Sequence, residues 1–309
     1  MIALRPALED YLSMRRALGY KLQRTEKLLA DFIGFVDTSA NDRVTIDLAV
    51  AWATLPADGA ISWWAARLTV LRGFATYLHT LDPATEVPPS DLLPDRSSHR
   101  AVPYLYSDDD ILALMAAAEI LRSSLRVLTY RTLIALVAVT GMRIGEAIRL
   151  DREDLDLEAG VLTVRLSKFG KSRELPLHTS TLDALRAYLR QRDLLLRRPT
   201  APSLFISTAG TRLLYCNVHW TFLRLVRHVG LKPRSKACRP RLHDLRHSFA
   251  VQTMIDAYRV DADVGACLLL LSTYLGHVHP ANTYWYLSAA PELLALAGKR
   301  LERSLEEPI

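Results

Sequence analysis

The residues able to do chemistry in this sequence fall in four short, separated segments. In RLHDLRHSFA, His243 and Arg246 are three apart and His247 follows His243 by four, so a helix there carries two imidazoles and a guanidinium on one face. In VTGMRIGEAIRL, Arg143 and Glu146 share a helical face by the same rule. A turn, SKFGK, offers Lys168 and Lys171 between two strand-like runs. In YLGHVHPANTYWYL, Tyr286 follows His277 by nine residues, with Tyr284 close by.

Each segment also has an ordinary reading: a surface ion pair, lysines in a soluble turn, tyrosines packed at a helix start. The spacing of His243 and His247 invites a zinc site. Asp244, however, stands where H-E-x-x-H needs glutamate, and Arg246 beside it would repel a cation, so no metal is expected. Taken together the four segments suit phosphoryl transfer without a metal. Two guanidinium forks would neutralise the non-bridging oxygens of a phosphodiester, lysine and histidines would move protons, and a tyrosine would attack.

The elements that must hold these residues are mostly helical. Apolar residues recur at helical spacing at Leu8 and Leu12, at Leu28, Phe32 and Phe35, and from Trp64 through Leu68, Leu71, Phe74 and Leu78. Thr25 and Ser62 stand where N-caps belong, and Ser107 before Asp108, Asp109 and Asp110 reads as a capped helix start. Five prolines (Pro83, Pro88, Pro89, Pro94, Pro103) break helices between Leu81 and Pro103. The pattern therefore predicts a helical domain over residues 1–90, a linker over 91–103 and a second domain over 104–309. In the second domain, VLTVRL (Val161 to Leu166) and SRELPL (Ser172 to Leu177) predict a β-hairpin with lysines at its tip. SLFIS and TRLL, around Ala209 and Gly210, predict a further strand or two before helices resume near Asn217. The fold class expected is mainly α with a small antiparallel sheet.

Composition narrows the class of partner. The 309 residues are 50% hydrophobic and 23% charged, with net charge +6 and a pI near 9.3. Residues 165–246 hold 18 Lys/Arg against 4 Asp/Glu, which suits a surface facing a polyanion such as a nucleic-acid backbone. No apolar run exceeds the eight residues Ile111 to Ala118, and the first residues carry charge, so neither a membrane span nor a signal peptide is expected and the location expected is cytoplasmic. Cys216, Cys238 and Cys267 have neither the number nor the spacing of a disulfide framework or a cysteine zinc site. The absence of G-x-x-x-x-G-K-S/T argues against a nucleotide cofactor.

TGMRIGE, SKFGKSRELPL, HDLRHSFA and LGH followed nine residues on by tyrosine, in that order, closely resemble the tyrosine recombinase (phage integrase) family. TVLRGFATYL in the amino-terminal part resembles that family's helical, SAM-like core-binding domain, and the tail TYWYLSAAPELLALA is similar to integrases of transposon-borne recombinase trios. The resemblance implies a two-domain clamp on double-stranded DNA and a site-specific recombinase that cleaves and rejoins through a 3′-phosphotyrosine, needing no cofactor. It implies Arg143 and Arg246 as phosphate-binding arginines with Glu146 supporting the first. Lys168 would protonate the leaving 5′ oxygen, His243 would act as general acid/base, His277 would donate to the scissile phosphate, and Tyr286 would be the nucleophile. Tyrosine's ordinary pKa, about 10, makes a cationic surrounding necessary for that last role.

Some positions depart from the family pattern. No glycine precedes Lys168, which keeps Lys171 open as its substitute; Tyr284 is the lesser candidate for nucleophile, and His247 a lesser site candidate. The segment from Arg246 to His277 is longer than the pattern, with CLLLLS expected to extend a helix or loop remote from the chemistry. Two other activities stay open: type IB topoisomerase-like relaxation, and a catalytically silent accessory subunit. Leu293, Leu294, Ala297, Leu301 and Leu305 form a stripe at helical spacing. It would either fold back on its own domain or, as the resemblance implies, dock on a neighbouring subunit in a homo-oligomer on DNA, a tetrameric synapse of this chain or one with related recombinase subunits.

Overall fold

The computed structural model describes residues 3–39, 43–55, 57–93, 102–165, 172–277, 283–284 and 290–306, with side chains through Glu302. The chain divides into two compact units, Met1–Arg100 and Ala101–Ile309.

In the first unit, α1 (Leu4–Ala17), α2 (Gln23–Thr38), α3 (Ile46–Thr54) and α4 (Ile61–Leu81) surround one apolar core. Leu29, Phe32, Trp52, Leu71 and Phe74 are fully buried in it, so the apolar phase of each helix faces α4 or a neighbour packed on it. Two expected caps are corrected. α2 starts at Gln23 after Leu22 and α4 at Ile61 after Ala60, which puts Thr25 and Ser62 inside the first turns. In both cases the helix extends past the polar residue. The proline-rich stretch is pinned to α4: Arg72 donates from Nε to Pro88 O and from Nη2 to Pro89 O, both at 2.7 Å.

The second unit begins with α5 (Asp108–Ala116), where Ser107 and Asp110 cap each other's main-chain N–H as expected. α6 (Ser124–Thr140) is the central helix, packed against α5, α8 (Thr179–Leu195) and α10 (Asp244–Arg259). α7 (Ile144–Arg149) follows α6 after a short turn. The sheet has antiparallel order β1-β2-β3, from β1 (Leu155–Asp156), β2 (Val161–Val164) and β3 (Arg173–Pro176). β2 and β3 are the expected hairpin arms; its tip, with Lys168 and Lys171, lies outside the described residues. The expected strands near Gly210 reduce to isolated bridges, Asp151 with Ser203 and Ile206 with Arg212, before α9 (Tyr215–Val229).

α10, α11 (Val264–Leu275) and α12 (Pro291–Glu306) share a second core of this unit built on Met254, Ile255, Leu271 and Leu275. The CLLLLS segment lies inside α11, with Leu268 and Leu271 buried there. It is not remote from the chemistry, because α11 ends one residue before the turn that delivers His277. The stripe on α12 divides: Leu293 is buried in its own unit's core, whereas Leu294 and Leu301 are about 60% exposed.

Candidate functional site

Three elements converge on Arg246. Its position in α10 buries the guanidinium to 1% exposure, a location a cation tolerates only with aimed acceptors. Nη1 donates to Gly141 O at 2.8 Å, while Nη2 donates to Leu275 O at 2.7 Å and to the His277 ring at 2.9 Å. Gly141 is the left-handed cap that ends α6, with φ +58°, and a Cβ there would overlap the Phe249 ring. Glycine thus lets the chain turn sharply beside α10 and present both its carbonyl and Arg143.

Arg143 is the N-cap of α7. Its backbone N–H donates to Glu146 Oε2 at 3.0 Å, and Nη1 donates to Glu146 Oε1 at 2.8 Å, the pairing that the sequence spacing predicts. Nη2 reaches Gly276 O at 3.4 Å. Glu146 is buried, which alone would raise its pKa, but hydrogen bonds and charge from Arg173 and then Arg143 win and lower it to about 2. It is a permanent carboxylate clamped between two guanidiniums.

His277 sits between the two phosphate-binding candidates. Its Nε2 faces an Arg246 N–H, so Nε2 is the acceptor and the ring proton is assigned to Nδ1, which donates to Thr283 Oγ1 at 2.7 Å. Desolvation, then the charges of Arg246 and Arg143, lower its pKa to about 3, and the ring is neutral at any ordinary pH.

His243 forms the N-cap of α10, and its ring meets that of His247 edge-on, 4.8 Å between centroids. Desolvation by the surrounding wall lowers its pKa, although the residue itself stays exposed to solvent, and His247 and Arg246 push in the same direction. His247 is anchored through Nδ1 to Asp244 Oδ1 at 2.9 Å. Asp244, fully buried, also accepts two hydrogen bonds from Arg241, at 2.9 and 2.8 Å. Burial would raise its pKa, but the bonds from His247 and Arg241 hold it below the usual carboxylate range.

The structure therefore brings together Arg143, Glu146, His243, Arg246, His247 and His277. Tyr286, Lys168 and Lys171 lie outside the described residues, and Tyr284 is described with 58% exposure. The sequence reading missed three contributors. Arg173 donates to Glu146 and, from Nε, to Tyr274 O at 2.9 Å; Thr283 is completely buried against His277; Asp244 anchors the HDLRH turn. Strand alternation could have found Arg173, which shares the inward phase of Leu175. Such a set of fixed N–H donors can bind and polarise a tetrahedral or trigonal-bipyramidal oxyanion.

Comparison with known proteins agrees with this geometry. Residues 105–292 match the model of the phage integrase family. The integrase/recombinase y4rB of Sinorhizobium fredii is 45% identical over 99% of both chains. The tyrosine recombinase XerD of Ralstonia nicotianae is 27% identical over 93% of this chain and 88% of its own. Among solved structures, a lambda integrase tetramer bound to a Holliday junction superposes with a TM-score of 0.60 at 20% identity, covering 91% of this chain and 77% of that one.

Proposed function

The chain belongs to the phage integrase family and is a site-specific recombinase of the tyrosine class, and from this premise we propose that it binds double-stranded DNA and exchanges strands through a 3′-phosphotyrosine on Tyr286. The observation that carries the reading is the convergence of Arg143, Arg246 and His277 at the end of α11, with Arg246 aimed by main-chain carbonyls.

In the proposed reaction the Tyr286 oxygen attacks phosphorus, its proton passes to His243, and the bond from phosphorus to the 5′ oxygen breaks. The 5′ oxygen leaves with a proton from Lys168, or from Lys171 if that residue takes its place. A 5′ hydroxyl of a partner duplex then attacks the phosphotyrosine, restoring Tyr286 and the phosphodiester. One bond forms as one breaks in each step, so no nucleotide cofactor or metal enters the scheme. His243, with a depressed pKa, is neutral and ready to accept a proton. Arg143 and Arg246 hold the non-bridging oxygens throughout, and their forks match two such acceptors. His277 can donate from Nε2 once its proton shifts there; Thr283 Oγ1, both donor and acceptor, serves either tautomer.

The basic surplus between residues 165 and 246 supplies phosphate contacts that set affinity and register. Binding should weaken with salt at a log-log slope of about −0.9 per contact. Assembly on DNA would be homo-oligomeric, with the exposed Leu294 and Leu301 of α12 facing a second copy of this chain. Because Leu293 belongs to its own core, the double substitution Leu294→Asp, Leu301→Asp tests docking better than deleting the helix. It should leave single-site binding intact and abolish cooperative binding to paired sites.

A nicked suicide duplex, whose short fragment bearing the freed 5′ hydroxyl diffuses away after cleavage, tests the reaction. A covalent protein–DNA adduct is expected. Binding without any adduct would indicate a silent accessory subunit and overturn the reading.

A further inference from the structure

On β3, Arg173 and Leu175 point to the same face, and cross-strand pairing sets them opposite Val164 and Leu162 of β2. Leu162, Val164 and Leu175 are buried. An arginine in that phase must find partners inside, since a desolvated guanidinium is otherwise costly. The Arg173 side chain, 13% exposed, finds them on two elements. Nη2 donates to Glu146 Oε2 at 2.8 Å and Nη1 to Glu146 Oε1 at 3.3 Å, so the fork closes on one carboxylate. Nε donates to Tyr274 O at 2.9 Å, in the last turn of α11.

Both elements carry groups assigned above to the phosphate. Glu146 holds the Arg143 guanidinium, and the residues that follow Tyr274 supply Leu275 O to Arg246, Gly276 O to Arg143, and then His277 itself. Gly276 takes a left-handed conformation at φ +68°, and a Cβ there would lie 3.2 Å from Arg173 Nη1. Glycine suits this left-handed position, and Arg173 packs closely against it.

We propose that Arg173 is a positioning residue for strand cleavage: by bridging Glu146 and the end of α11 it fixes Arg143 and His277 relative to one another and hence to the scissile phosphate. Its own fork faces the carboxylate, so it acts through these neighbours rather than on DNA. Placement at the first residue of β3 also anchors the return arm of the lysine hairpin to the same carboxylate. The inference rests on the cleavage reading given above.

Arg173→Gln removes the bridge at similar length, and Arg173→Lys keeps a charge beside Glu146 but cannot span both partners. On the suicide duplex, adduct formation at saturating DNA should slow about 10- to 100-fold in Arg173→Gln, with partial recovery in Arg173→Lys, as expected for misplacement on the scale of 1 Å. The dissociation constant for DNA should stay within about twofold, because phosphate contacts elsewhere set affinity.

A second measurement needs no DNA. His277 is faced by Arg246, Arg143, His243 and His247, with Thr283 on its Nδ1. If Arg173 holds the turn, its loss lets these cations draw away, and the NMR titration of the His277 ring moves upward. A merely structural role would lower thermal stability and leave the titration of the folded protein where it was. Unchanged cleavage in both variants, or an unmoved His277 titration in the folded variants, overturns the inference. A wild-type protein that forms no adduct overturns the cleavage reading instead, and the titration then decides the positioning role alone.

Discussion

Arg67 of the first unit and Arg246 of the second are both buried, and they are buried differently. Arg67 in α4, 6% exposed, lies over the Trp52 ring at 3.9 Å and donates from Nη2 to Trp52 O at 3.0 Å and to Asp31 Oδ2 at 3.1 Å. Trp52 Nε1 donates to the same carboxylate oxygen at 3.0 Å. Arg246, 1% exposed, donates to the carbonyls of Gly141 and Leu275 and to a neutral imidazole. A carboxylate cancels a cation's field; a carbonyl orients the cation and leaves most of its charge available. On the proposed reading Arg67 is a strut and Arg246 a binding group, although both are buried arginines on helices. The same accounting holds around Glu146, where the guanidiniums of Arg143 and Arg173 share one carboxylate.

The sharpest way to break this contrast is to remove each arginine. Arg246→Ala should slow covalent adduct formation by about a hundredfold or more, on the scale of one preorganised oxyanion donor. Arg67→Ala should cost stability, about 2 kcal/mol by urea titration, and leave the cleavage rate of the folded protein unchanged. Equal losses of cleavage in both would abolish the distinction. Glu146→Gln comes next: it keeps the shape but removes the charge that two guanidiniums share, and cleavage should fall about tenfold or more.

The imidazole beside Arg246 gives a pH signature that Arg67 has no counterpart for. His277 has a pKa of about 3 in the folded protein against 6.5 ordinarily, so below pH 6.5 the unfolded chain takes up a proton the folded chain refuses. Its contribution to stability is full above pH 6.5 and is lost as pH falls from there towards 3. His277→Gln, whose side-chain oxygen can still accept from Arg246, should flatten the fall in melting temperature between pH 7 and pH 5. An identical acid profile would remove His277 from that linkage. The smallest effect expected is in Thr283→Val, which deletes the hydroxyl serving both His277 tautomers and should slow cleavage about tenfold, the equivalent of one hydrogen bond.

What the sequence made legible were local relations. Arg143 and Glu146 meet across the cap of α7 and His243 and His247 across the first turn of α10, both within four residues, and Ser107 with Asp110 closes a cap over the same span. Arg173 was not legible in this way. Alternation with Leu175 could turn it inward, but its partners Glu146 and Tyr274 are 27 and 101 residues away and nothing local names them. Thr283 likewise acquires meaning only from the His277 side chain it touches. CLLLLS read as an insertion remote from the site because sequence length does not reveal that α11, packed on α10, carries its last carbonyls to Arg246. Thr25 and Ser62 failed as caps because a side chain suited to capping does not fix a helix start when the preceding residues also continue the helix.

The reading of Arg246 as a phosphate-binding group requires a nucleophile at the end of the LGH segment. The direct test is to trap the adduct on a suicide duplex, digest the protein and locate the DNA-bearing peptide in the wild type, Tyr286→Phe and Tyr284→Phe. The account predicts a 3′-phosphotyrosyl linkage at Tyr286, absent in Tyr286→Phe and retained in Tyr284→Phe, with all three proteins binding DNA alike. An adduct that persists in Tyr286→Phe and disappears in Tyr284→Phe would contradict it.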